Sequence, residues 1–415
     1  MLGTDGARTG DIFHLRTKFA NIGWLTGEQI VRLAVGLLVM ALVARHLGPE
    51  AFATYTYVFS IAAILIPIAR YSCDGIVLRD IARHPEQARS IVTTSLAITT
   101  VLAIFAVIIG VLAFELLPGP EVLSPTLIAL SLALVAVVPA EVFLAAAKAS
   151  ERMAWIAIPR AAVVITAGVA TLLLVVGGAE LPTFIAMRSA EAVFLALAAY
   201  LAFHWLYRRS ARPRLSGHYA GQFLKAGLPL TLAGFAAMIY MRIDQVMLGA
   251  MAPSTELGHY GVAVRVAEVA NFLPSVLQAT LYPAMVRNHK LGKEHFQSFM
   301  QRTFDSFSLA AWPAMIGTAA AGLFLIVPAF GVDYAASIPL LLVLLVGSPF
   351  FFLYIALGSM LLTEGKVWTF AYISIASAIV NFSGNFFAIP NWGAQGAAGA
   401  TVLTYFVSRR RGQIG

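Results

Sequence analysis

The chain is 415 residues long, 60% hydrophobic and only 12% charged, with a formal net charge of +8. Soluble domains average roughly 45–50% apolar and about 25% charged residues, so this is expected to be a membrane protein; at about 20 residues per crossing it has room for roughly a dozen spans and no sizeable soluble domain. One cysteine, Cys73, excludes an internal disulfide framework, no Cys/His cluster suggests a metal site or cofactor, and the basic excess is expected to orient loops rather than to bind nucleic acid.

The chain opens with DIFHLRTKFAN, in which Ile12, Leu15 and Phe19 share one helical face beside Arg16 and Lys18. Residues 1–21 therefore read as a cytoplasmic interfacial segment, and the first span as an uncleaved anchor. Apolar runs follow at about 22–45, 51–72, 91–114, 122–144, 155–176 and 181–206. Six more lie at 223–249, 257–283, 303–327, 337–362, 367–388 and 393–407, the last short and stopped by Arg409 to Arg411. Loops after the even-numbered runs carry the basic residues, among them Arg79, Arg83, Arg89, Lys148, Arg208, Arg287 and Lys366. The intervening loops, such as ELLPGPEVLSP and PAFGVDYAAS, have no lysine or arginine. This alternation predicts about twelve spans with both termini in the cytoplasm.

LGPEAFATYTY at 47 is echoed by LGAMAPSTELGHY at 248, with Tyr55 and Tyr260 opening the following runs. Two matching lobes are predicted, 22–206 and 223–415, joined by a basic linker at 207–222. Six being even, both lobes enter the membrane from the same side, as in transporters built from parallel repeats around a site between the halves.

Eight ionisable residues fall inside predicted spans: Glu28, Arg32, Arg188, Glu191, Arg242, Asp244, Arg265 and Glu268. Each costs roughly 2.5–3.5 kcal/mol at a helix centre on insertion scales, so they are expected to face protein or water. Glu28/Arg32, Arg188/Glu191 and Arg265/Glu268 have the spacing to pair along one helix face. Arg242 and Asp244, two apart, point to nearly opposite faces and require separate partners. The plain reading of each charge is an ion pair that sets helix register. Glu141 and Arg160, nearer the predicted helix ends, read as structural side chains that snorkel. Pro139, Pro159, Pro229, Pro274 and Pro349 are expected to kink their spans, and Asn271, Gln278, Asn381 and Asn385 to bond neighbouring helices. His46, His84, His204, His218, His259, His289 and His295 lie at helix ends or in loops, and no hydrolase, zinc-protease or phosphate-loop pattern occurs. An enzyme is not expected.

NIGWLTGEQIVRLAVGLLVMALVARHLGPEAFATYTYVFSI, the DGIVLRDIARHPE loop, FLKAGLPLTLAGFAAMIYMRIDQVMLGAM with GHYGVAVRVAEVANFLPSVLQATLYPAM, and GAQGAAGATVLTY resemble the Wzx-type polysaccharide-repeat flippases, over about 20–404. Members commonly continue with further hydrophobic sequence after the twelfth helix, where this chain ends at SRRRGQIG. The resemblance implies the multidrug/oligosaccharidyl-lipid/polysaccharide exporter fold, all-α, with two six-helix lobes around a central cavity. It also implies a lipid-linked oligosaccharide substrate carried on polyprenyl pyrophosphate, moved across the bacterial plasma membrane by alternating access, with a polysaccharide polymerase as a candidate partner beside membrane lipids. On that footing Arg32, Arg242, Arg188 and Arg265 become candidate contacts for the anionic head group. Glu28, Asp244, Glu191 and Glu268 become their ion-pair or coupling partners. A cation-coupled multidrug exporter of the same superfamily and an integral-membrane glycan polymerase or ligase stand as the alternatives.

Overall fold

In hydrocarbon every backbone N–H and C=O must find its partner within the segment, which drives a chain of this composition into helices. The computed structural model describes residues 5–120, 123–150, 153–208 and 214–411, with side chains at 23, 24 and, within those ranges, from 27 to 407; among the described residues there are helices and no strand. The first half comprises α1 (Asp5–Arg70), α2 (Cys73–Arg83), α3 (Ala88–Leu116), α4 (Pro125–Val137), α5 (Glu141–Ala149), α6 (Ala154–Val176) and α7 (Leu181–Leu206). The second comprises α8 (Gly217–Met251), α9 (Ser254–Ala270), α10 (Phe272–Lys290), α11 (Lys293–Phe330), α12 (Ser337–Val346), α13 (Ser348–Thr363) and α14 (Val367–Arg411). The side chains of the predicted interfacial face at 12–19 and of the terminal arginines at 409–411 lie outside the described residues.

Two of these helices are hairpins. Gly48 breaks α1 with φ 72° and ψ 169°, a region essentially reserved for glycine. The chain reverses there: Glu28 on the first arm lies 3.9 Å from Arg160, and Arg70 at the end of the second arm pairs with Glu141, while Arg160 and Glu141 line one cavity. Gly393 (φ 52°, ψ −134°) breaks α14 in the same way. Across it Asn381 Nδ2 donates to Thr404 Oγ1 at 3.1 Å, tying the arms together, while Asn385 donates to Asn381 Oδ1 at 3.0 Å along the first arm.

Among the described residues eight helices are long and apolar enough to cross a membrane, or nine if the bent pair α12–α13 forms one span. Both hairpins count once in that figure. The predicted run at 257–283 is divided at Asn271 into α9 and α10, neither of which qualifies alone. Breaks fall close to predicted prolines: a 3-10 turn over Val138–Ala140 at Pro139, and a 44° bend between α12 and α13 beside Pro349. Pro159 and Pro229 instead lie inside the continuous helices α6 and α8.

Helices α3–α7 pack on one another and on α1, whereas α10–α14 pack among themselves and on α8 and α9; α1 joins the two bundles by lying against α8 and α9. Loops lacking lysine and arginine gather at one end. There Tyr57 Oη donates to Pro118 O at 3.1 Å, Arg45 to Pro328 O at 3.1 Å, and Tyr334 Oη to Ala44 O at 2.9 Å. At the basic end, Arg89 bonds Arg208 O at 3.2 Å and Tyr71 Oη donates to Leu224 O at 2.8 Å. Of these, Arg45–Pro328 and Tyr334–Ala44 tie the bundles together at the end without basic loops, and Tyr71–Leu224 does so at the basic end. Toward the basic end α10 packs on α9, α11 and α13, helices of its own bundle.

Candidate functional site

Of the eight ionisable residues within predicted spans, Arg242 and Arg265 line a hollow between the two bundles. Arg242 on α8 and Arg265 on α9 share one carboxylate: Arg242 Nη2 lies 2.6 Å from Glu268 Oε1, and Arg265 Nη1 donates to Glu268 Oε2 at 3.1 Å. The Arg242 side chain is 16% exposed and that of Arg265 51%. Both arginines line a hollow of about 80 Å3 with Tyr55, Ser60 and Gln245 between the bundles. Ser60 Oγ donates to Gln245 Oε1 at 2.8 Å across the bundle interface. Gln245 Nε2 is buried and has no hydrogen-bond partner. Two guanidinium groups sharing one carboxylate beside this hollow make an anion-seeking arrangement.

Asp244, two residues from Arg242, turns into the second bundle. It is 2% exposed and accepts from Tyr260 Oη at 2.6 Å, Gln245 N at 2.7 Å and Thr401 Oγ1 at 3.2 Å. Three donors spread its charge without any arginine. With Glu268, Asn271, Ser348 and Tyr405 it lines a hollow of only about 40 Å3.

In the first bundle Arg188 pairs with Glu191 one turn along α7, its side chain half exposed. Glu28 Oε1 lies 3.3 Å from Arg32 Nε and 3.9 Å from Arg160 Nε, yet this buried oxygen accepts no hydrogen bond. Arg160 and Arg188 line a cavity of about 250 Å3 with Glu141. Glu141 is held by Arg70, which also approaches Asp74 at 3.5 Å. The structure therefore brings Arg242, Arg265 and Glu268 together, and Arg32 with Glu28, while Asp244 stands apart from the arginines. Reading Arg160 as a snorkelling side chain missed its place in a cavity wall. Residue 160 lies close to the start of α6, so depth along the helix suggested the membrane edge; what decides its role is the side of α6 from which it projects. A 550 Å3 hollow between α1, α3, α8 and α14 is aliphatic, lined by residues such as Ile61, Leu65, Phe235 and Ile379, and has no charged group.

Against this geometry, residues 19–289 match the sequence profile of a family described as "Polysaccharide biosynthesis protein". The chain belongs to that family. No curated protein matches the chain. Among solved structures, "Lipid II flippase MurJ, inward closed conformation" superposes with a TM-score of 0.72 at 13% identity, over 94% of this chain and 86% of that one. "Inward-facing conformation of a multidrug resistance MATE family transporter of the MOP superfamily" gives 0.65 at 15% identity, over 93% and 97%. "Structure of MATE multidrug transporter DinF-BH in complex with R6G" gives 0.62 at 15%, over 94% of each. At these identities the likeness is one of fold. This polysaccharide-biosynthesis family chain thus has the fold of the MOP-superfamily transporters and flippases, and is a multi-pass membrane protein.

Proposed function

We propose that this protein is a flippase that carries polyprenyl-pyrophosphate-linked oligosaccharide repeat units across the bacterial plasma membrane for surface polysaccharide synthesis, with no covalent change to the substrate. The observation that carries this reading is the hollow between the bundles, where Arg242 and Arg265 converge on a single carboxylate. Pyrophosphate crosses hydrocarbon only if its charge is matched, and a guanidinium fork matches phosphate oxygens in pairs. Arg188 and Arg32 extend the basic surface within the first bundle. Residues 22–206 and 223–415 act as the two moving lobes, the 207–222 segment links them on the cytoplasmic side, and the released repeat units pass to a polysaccharide polymerase outside.

The bundles' contacts at the end without basic loops, and the packing of α10 within its own bundle at the other, support a state open to the cytoplasm. The multidrug reading draws on the fold neighbours. The carboxylates argue against it, since Glu268 and Glu191 are each occupied by arginine and Asp244 is enclosed. The test is complementation of a deletion strain: the wild-type gene restores surface polysaccharide, stable Arg242→Ala and Arg265→Ala variants do not, and drug susceptibility stays unchanged. Restored export by either variant at normal protein levels would remove that arginine from substrate binding. A change in drug susceptibility without any effect on polysaccharide would favour the multidrug reading.

A further inference from the structure

Resting on that reading of function, we infer that the cavity inside the first bundle is a second binding site, one that takes the diphosphate end of an isoprenoid lipid together with the adjoining part of its chain. The cavity holds about 250 Å3 and its lining is sharply divided. Arg160, Arg188 and Glu141 supply its charge, and much of the rest is aliphatic, including Ile66, Leu134 and Leu195. No serine, threonine, asparagine, glutamine or aspartate is among its lining residues. A sugar placed there would find polar partners only at the charged end and would lose water from its other hydroxyls along the apolar wall. A hydrocarbon chain with an anionic end meets the lining on both counts.

Arg160 is the residue open to that end. Glu141 is occupied by Arg70, and Arg188 by Glu191. The Arg160 guanidinium donates no hydrogen bond among the described residues, and its ion-pair partner, Glu28 Oε1, is 3.9 Å away. That oxygen is buried, 3.3 Å from Arg32, and accepts no hydrogen bond. An arginine presents five N–H donors in a fixed fork, so a partly buried one with none engaged requires acceptors, and phosphate oxygens supply them in the matching geometry. The corresponding hollow in the second bundle differs in both respects. It is about 40 Å3, and no arginine is among its lining residues.

The test uses the purified full-length protein in nanodiscs, with farnesyl diphosphate as the amphiphilic probe and inorganic diphosphate as its tailless counterpart. Wild-type protein is expected to bind farnesyl diphosphate more tightly than inorganic diphosphate. Arg160→Ala weakens both at least tenfold, and Arg160→Lys recovers part of the loss. Ala196→Phe, which fills the aliphatic side, weakens farnesyl diphosphate at least fivefold and leaves inorganic diphosphate within twofold. Should the arginine variants fold poorly, Ala196→Cys carries the test without touching the charge network: farnesyl diphosphate should slow its alkylation at least fivefold, and the native Cys73 is fully buried. Unchanged alkylation, or equal protection by phosphatidylglycerol at the same mole fraction, overturns the site, the latter showing a crevice for any anionic lipid. The two readings fail separately. Failure of the wild-type gene to restore surface polysaccharide in the deletion strain sinks the flippase reading; restored export with no ligand effect at residues 160 and 196 sinks this site alone.

Discussion

Arg242 reaches across from α8 to hold Glu268 of α9 at 2.6 Å, so the principal charge pair of the second bundle joins two helices rather than two turns of one. Glu268 is also held by Arg265 from its own helix at 3.1 Å. One carboxylate balancing two guanidinium groups leaves net positive charge at the hollow between the bundles. A double-mutant cycle separates structure from function here. Arg242→Ala and Glu268→Ala should each destabilise the protein, with a coupling of about 0.5–3 kcal/mol as is usual for contacting groups in one network. The double variant should recover stability and still fail to export polysaccharide. Recovery of export along with stability would make the pair a register device only.

The reversal at Gly393 should be more sensitive to substitution than that at Gly48. Both residues have positive φ, which costs an L side chain roughly 1–3 kcal/mol. At Gly48 a new Cβ meets nothing within 4 Å, so Gly48→Ala carries the backbone cost alone. At Gly393 it would collide with the Glu256 carboxylate, which accepts from Ala394 N at 2.7 Å and so caps the second arm of α14. Gly393→Ala should therefore lower the thermal midpoint in detergent by more than Gly48→Ala, and Glu256→Ala should reproduce part of the difference. Equal midpoints for the two glycine variants would show that the cap contributes little.

The end without basic loops should open if α9 is held away from the second arm of α1. A side chain at Gly258 would strike the backbone of Pro49, and one at Gly261 would strike Thr56, so these glycines set how closely the two bundles approach. Backbone offers no flexible atom to yield, which makes Gly258→Val the more disruptive change. The expected result is faster labelling of Tyr55→Cys by a membrane-impermeant thiol reagent from outside, with reduced export. Tyr334→Phe, which removes one hydrogen bond to Ala44 worth about 1 kcal/mol, should shift labelling in the same direction by less. A labelling rate unmoved by Gly258→Val would dissociate this contact from gating.

Much of this arrangement was legible in the sequence because the period of a helix is rigid. The two-residue separation of Arg242 and Asp244 required different faces, and they indeed find Glu268 on one side and Tyr260 with Thr401 on the other. Leu-Gly before the echoed tyrosine marked a helix end, and Gly48 occupies a conformation that few other residues tolerate. The division of the 257–283 run at Asn271 was not legible, since asparagine inside an apolar stretch is equally compatible with an unbroken helix whose side chain bonds a neighbour. Arg160 was misjudged for a related reason. Periodicity tells which residues of one helix share a face, whereas the direction of that face is set by packing against the adjoining α7 and against α1, which is far away in the chain.

Asp244 provides the last and most direct test of how transport is driven. Its carboxylate is enclosed by Tyr260, Thr401 and the Gln245 amide, with Arg242 paired to Glu268, so a proton or cation arriving at this position meets a carboxylate that has no direct arginine partner among the described residues. Asparagine has nearly the same shape and its carbonyl can still accept from Tyr260 and Thr401, but its NH2 then faces the Gln245 N–H, so Asp244→Asn should fold with a loss of about 1–3 kcal/mol. If the charge couples export to an ion gradient, the variant should keep substrate binding while losing its response to an imposed proton or sodium gradient in inverted vesicles. If instead the variant follows the gradient as the wild type does, Asp244 serves the packing of α8 against α9 and α14, and coupling has to be sought at Glu28.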